Sequence, residues 1–196
     1  MVNSKQSSAS VSLTRIMTES ALLIALASVL SIFAVFKLPS GGSITIGSMI
    51  PIILLSLKYP FRWSLAAAFV YSLIQMMLGF YAPPVQTMLN YVLVTLLDYV
   101  LAFSVLCLSG PIFRALGQTW PTPLRLMAAT AICFMFRFMC HFFSGMLIWA
   151  AYAPPDQPLW LYSLLYNGSY MLGEAVVSGF ILFVAGQKLI HLFIGD

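Results

Sequence analysis

Asp98 and Arg137 lie deep inside apolar stretches of this 196-residue sequence, and His141 follows Arg137 by four positions. A charged side chain at the centre of a bilayer costs about 2.5–3.5 kcal/mol on insertion scales, so each needs a partner or a function. Two arrangements answer that need. Asp98 and Arg137 can form an ion pair that locks two helices together, or they can line a polar cavity for a ligand with charged and hydrogen-bonding groups. The cavity is favoured by the pattern Arg137, His141, Gly145, Trp149, which repeats every four residues. On a helix that spacing makes one slowly drifting stripe. It offers a cation, an imidazole, a bare patch of backbone that a flat ligand can approach closely, and an indole face for stacking.

Further along, Tyr162, Tyr166, Asn167 and Tyr170 cluster at the start of the last apolar segment. Asn167 reads as a two-sided amide for the edge of a heterocycle. It also begins an Asn-Gly-Ser sequon, which is a chance match inside an apolar segment. Glu19 and Glu174 are two further acids in apolar surroundings. An acid, a stacking indole and several tyrosines suit a cationic heteroaromatic ligand, whose charge the carboxylate balances while aromatic faces add cation–π attraction. An intramembrane enzyme using His141 and Asp98 as base and acid is the alternative from another class. No nucleophile or metal-ligand set accompanies them, so neither catalysis nor a cofactor is expected. Cys107, Cys133 and Cys140 lack metal-ligand spacing and read as small packing residues.

The elements that must hold these residues follow from composition. Hydrophobic residues make up 61% of the chain and charged residues 7%, against about 25% charged in soluble domains. Lipid must be the solvent, and the scattered basic residues make no nucleic-acid patch. After a polar tail over residues 1–13, one membrane domain over 14–194 divides into six apolar stretches at 14–36, 44–57, 63–81, 85–109, 124–152 and 159–189. The second is short for a span of about 20 residues. Lys5, Arg15, Lys58, Arg62, Arg114, Arg125 and Lys188 all fall on one side of this six-helix arrangement. The positive-inside rule then places both termini in the cytoplasm of a multi-pass protein in the cell membrane. The first apolar run is too long for a signal-peptide core and should remain as a helix.

In order and spacing, several segments resemble the thiamine-specific S component of energy-coupling-factor (ECF) vitamin transporters of Gram-positive bacteria. They are Gly41-Gly-Ser-Ile-Thr-Ile46 with Ile50-Pro-Ile52, Leu97-Asp-Tyr99, Arg137 to Gly145, Trp149, and Tyr162 to Asn167. The resemblance runs over about residues 14–185. It implies a thiamine pocket open to the outside, with Asp98, Tyr99, Arg137, His141, Gly145, Trp149, Tyr162 and Asn167 as its binding residues. An S component for another vitamin or a thiamine precursor carries much of the same chemistry. The resemblance also implies a lid in the first loop, at Gly41, Gly42 and Ser43. Some members have Glu and Lys where this chain has Asp98 and Arg137, and a Trp near Gly42, which the Gly-Gly-Ser backbone or Phe36 would replace. Ala21 and Ala25 are the small-residue step by which such subunits dock a transmembrane coupling protein and two ATPases. In lipid, small residues four apart let a second helix approach closely. No G-x-x-x-x-G-K-[ST] phosphate loop occurs in the sequence, in keeping with energy supplied by partners.

Overall fold

A computed structural model describes residues 12–194 of the chain. Most of the expected tail, with Lys5, lies outside the described residues. Ser12 instead caps the first helix, α1 (Leu13–Ile32), its Oγ accepting from the Arg15 amide at 3.3 Å. The chain then turns into a two-stranded antiparallel ribbon, β1 (Ala34–Lys37) with β2 (Ser43–Thr45). The helices expected over 14–36 and 44–57 are shorter than that, because their adjoining ends pair as strands. Gly41 and Gly42, at φ of 93° and 88°, supply the left-handed backbone that the turn requires. Periodicity cannot separate such short apolar strands from helix ends.

The second helix, α2 (Ile50–Lys58), has Pro51 in its first turn and is buried at every position from Ile50 to Leu57. A helix apolar on all faces belongs inside. It is too short to cross the hydrocarbon and is enclosed by α1, α3 (Phe61–Leu78), α4 (Met88–Ala115) and α6 (Leu159–Ile194). Between the last two runs α5 (Thr122–Leu147), followed by a 3₁₀ turn at Trp149–Tyr152. The helices α1, α3, α4, α5 and α6 are long and apolar enough to span a membrane. With the central α2 they make a six-segment, all-helical membrane protein, the ribbon aside.

The fourth segment was expected to stop before Gly110-Pro111, yet α4 continues through both to Ala115. Proline cannot donate to the carbonyl four residues back, which here is Cys107 O. Ser56 of α2 donates to that oxygen instead, at 2.6 Å, while its own Oγ accepts from the Gly110 amide at 2.9 Å. The crossing is tight enough that a Cβ on Gly110 would stand 2.0 Å from Ser56 O. One hydroxyl thus satisfies the carbonyl and lets a proline-containing helix persist in an apolar environment.

Several of the loop cations meet at one end of the molecule. Arg15 and Lys58 both pair with Glu19, at 2.8 and 2.5 Å, and Tyr59 also donates to that carboxylate. Arg114 reaches Leu57 O at 3.4 Å, and Arg125 reaches Phe113 O at 3.1 Å. Glu19 is therefore accounted for by this end cluster. Cys107 and Cys133 are buried, Cys140 is half-buried, and all three are free.

Candidate ligand-binding site

At the opposite end, the ribbon and the α3–α4 and α5–α6 connections roof a cavity of about 370 Å³. Drug-sized ligands occupy pockets of roughly 300–1,000 Å³. Every predicted binding residue lines it, from Asp98 to Asn167, together with Gly41, Gly42 and Ser43. Phe36 does not. It is 54% exposed and is not among the residues that line the cavity.

Asp98 sits in a π-helical stretch of α4, Thr95–Leu101. Such turns recur at functional sites, and in this one the successive residues Asp98 and Tyr99 both face the cavity. The carboxylate is held by donors from α5 and its following turn. His141 Nδ1 lies 3.0 Å from Oδ1, while Ser144 Oγ and Trp149 Nε1 donate to Oδ2 at 2.6 and 3.0 Å. Asp98 is thereby fixed in one orientation. Trp149 is no longer on the helix, but its 3₁₀ turn brings the indole back over the acid and leaves it stacked on Tyr152 at 6.1 Å.

The ion pair between Asp98 and Arg137 does not form. His141 lies between them, accepting at Nε2 from Arg137 Nε at 3.3 Å. With one ring nitrogen accepting and the other donating, the imidazole is neutral and carries its proton on Nδ1. Arg137 is 7% exposed. Its Nη1 meets Met49 Sδ at 2.8 Å, and the guanidinium lies over the Phe103 ring at 4.0 Å. Among the described residues, no carboxylate pairs with it.

Three predicted site residues take roles other than those read from the sequence. The bare face of Gly145 is filled by protein: a Cβ there would stand 2.2 Å from Ser163 Oγ and 2.8 Å from Asn167 Nδ2. Gly145 lines the cavity, and the absence of a side chain also lets α5 approach α6. Asn167 is occupied at both ends of its amide. Nδ2 donates to His141 O and to Ser163, each at 3.1 Å, and Oδ1 accepts from Tyr170 at 3.0 Å. The Tyr99 hydroxyl holds the α3–α4 connection, donating to Gly79 O at 2.8 Å and accepting from the Tyr81 amide at 3.0 Å. Tyr162 keeps an aromatic wall, tilted on Tyr166 at 5.8 Å.

The ribbon tip rests on α6. Ser40 N donates to the Tyr166 hydroxyl at 3.0 Å, and that hydroxyl donates to Gly41 O at 2.8 Å. A Cβ on Gly42 would strike the Tyr170 ring at 2.6 Å, so a tyrosine of α6 packs directly against this loop. Sequence reasoning missed Ser144 and the way Tyr166 and Tyr170 serve the loop. Ser144 stands three residues after His141, on the same helical face, which was the available signal.

Fold and site together define a multi-pass membrane protein with a cavity at one end lined by charged, polar and aromatic side chains. The profile of the thiamine transporter protein family (Thia_YuaJ) matches residues 17–194, and the chain belongs to that family. It is 30% identical to the thiamine transporter ThiT of Bacillus subtilis (strain 168), covering 74% of this chain and 76% of that protein. It is 27% identical to ThiT of Lacticaseibacillus paracasei over 72% of this chain and 74% of that one. A solved structure of ThiT from Listeria monocytogenes matches with a TM-score of 0.72 at 26% identity, over 91% of this chain and 96% of that chain.

Proposed function

We propose that this protein is the thiamine-capturing S component of an ECF importer, taking the vitamin into the cavity from outside. One observation carries the reading. A carboxylate fixed by three donors stands beside an indole and several tyrosines in one cavity. That combination suits a flat heteroaromatic cation. Asp98 balances the thiazolium charge, Trp149 and the tyrosines offer ring faces, and Arg137 offers donors to uncharged nitrogen or oxygen. The ribbon acts as the lid through Gly41, Gly42 and Ser43. No bond of the vitamin is made or broken. The names of the relatives support thiamine, and the cationic end cluster supports an outward-facing cavity by the positive-inside rule.

The docking surface for a coupling subunit is the groove between α1 and α3. Ala21 and Ala25 are exposed there and face Ala66 and Ala67 across an apolar volume of about 500 Å³. Small residues on both walls let a partner helix seat deeply. Two ATPases bound to that partner would supply the energy.

The test is titration of the purified protein with thiamine, riboflavin, biotin and the isolated aminopyrimidine, following tryptophan fluorescence. Saturable quenching by submicromolar thiamine, lost in Trp149→Ala, supports the reading. Preference for another vitamin, or for the pyrimidine alone, reassigns the ligand.

A further inference from the structure

Glu174 is fully buried in the middle of α6, yet it lies outside the binding residues just described. Both its oxygens go to a single residue of the ribbon. The Thr45 amide donates to Oε2 at 2.5 Å, and the Thr45 hydroxyl donates to Oε1 at 2.7 Å. Thr45 is itself braced, with its Oγ1 2.8 Å from Ser48 Oγ and accepting from the Ser48 amide at 3.1 Å. Beside it, Gly173 forms a notch for Ile44, whose Cδ1 would lie 2.4 Å from a Cβ at that position. Tyr166, Tyr170, Gly173 and Glu174 therefore form one face of α6, with spacings of four, seven and eight. The ribbon lies along that face.

The two ends of this contact are held unequally. At the tip, one neutral hydroxyl makes the hydrogen bonds, to Ser40 and Gly41. At the root, the fully buried Glu174 takes two hydrogen bonds from Thr45, beside the Ile44 side chain seated against Gly173. Removing its partners would leave a buried polar group unsatisfied. The ladder is irregular between Ala34, which pairs with Thr45, and Phe36, which pairs with Ile44. A bulge weakens and bends a ribbon at that point, immediately on the tip side of the anchored residue.

We infer that Glu174 is a positioning residue: through Thr45 it fixes the root of the ribbon on α6, so that only the tip, with Gly41 and Gly42, lifts to admit and release ligand. This inference rests on the reading of the cavity as the ligand site and of the ribbon as its lid. Glu174 touches no ligand. It acts on retention, by limiting how much of the lid can leave.

The experiment uses the full chain with Cys140→Ala, and a single cysteine introduced at the root (Ala34→Cys, the position paired with Thr45) or the tip (Ser40→Cys). Maleimide labelling is followed without ligand, and thiamine release by stopped-flow fluorescence. In the parent, the tip cysteine labels readily and the root cysteine at least tenfold more slowly. Glu174→Gln, which presents one N–H group where an acceptor is needed, should bring root labelling up to the tip rate. It should also speed thiamine release about tenfold, with association changed less than threefold. Thr45→Ser, which keeps both donors, should behave as the parent. Should Glu174→Gln fail to fold, Thr45→Val removes the hydroxyl bond alone and should raise root labelling by a smaller factor. Unchanged root labelling in a folded variant overturns the proposal, as does equal labelling of root and tip in the parent. A parent that labels as expected but binds no thiamine would remove the ligand reading and leave the anchored root standing.

Discussion

His141 separates Asp98 from Arg137, donating from Nδ1 to the aspartate and accepting at Nε2 from the guanidinium. The opposite charges are linked through a neutral ring instead of cancelling. Asp98 remains available to a cation and Arg137 to an acceptor, within one cavity. Had the two side chains paired directly, each would have offset the other's charge and less of it would face a ligand.

Asp98→Asn tests the charge. A hydrogen bond involving a charged group contributes about 1.5–3 kcal/mol, so thiamine affinity should fall roughly 10- to 150-fold. The uncharged aminopyrimidine should lose much less. Titration of both ligands checks this, and equal losses would mean that Asp98 only organises the donors around it.

Tyr166→Phe removes the hydroxyl that joins Ser40 and Gly41 to α6. Two neutral hydrogen bonds contribute about 0.5–1.5 kcal/mol each. Thiamine should dissociate roughly 5- to 150-fold faster with little change in thermal stability, measured by stopped-flow fluorescence and a melting curve. An unchanged dissociation rate would show that the tip contact does not hold ligand in.

Gly145→Ala should act on the fold first. Its methyl would meet Ser163 Oγ at 2.2 Å, and overpacking of this kind costs about 1–3 kcal/mol. Adding Ser163→Ala removes the nearest obstructing atom and should recover part of the lost melting temperature. A double variant no more stable than Gly145→Ala would place the clash elsewhere.

Ser56→Ala leaves Cys107 O without a donor next to Pro111, a cost of about 1–3 kcal/mol for a buried polar group. Pro111→Ala restores an amide at the position that normally serves that carbonyl. The double variant should therefore melt higher than Ser56→Ala alone. If Pro111→Ala gives no recovery, the Ser56 hydroxyl is not standing in for the missing helical bond.

The sequence by itself determined that the chain lives in lipid, that it has six apolar segments, and which end gathers the cations. These follow from composition and charge spacing, which act locally on each segment. It also picked out the residues of the cavity, because charges and polar aromatics in apolar stretches are costly wherever they end up. Only the tertiary structure decided what those residues do. Gly145 and Asn167 line the cavity and also hold α5 against α6, a second role that depends on how the helices cross. The strands at 34–37 and 43–45 read as helix ends and the loop between them, because runs of four and three residues are too short to show a strand's period. Glu174 stood out as an unexplained buried acid. Its partner, Thr45, lies 129 positions away, and no local pattern can name a contact that folding alone creates.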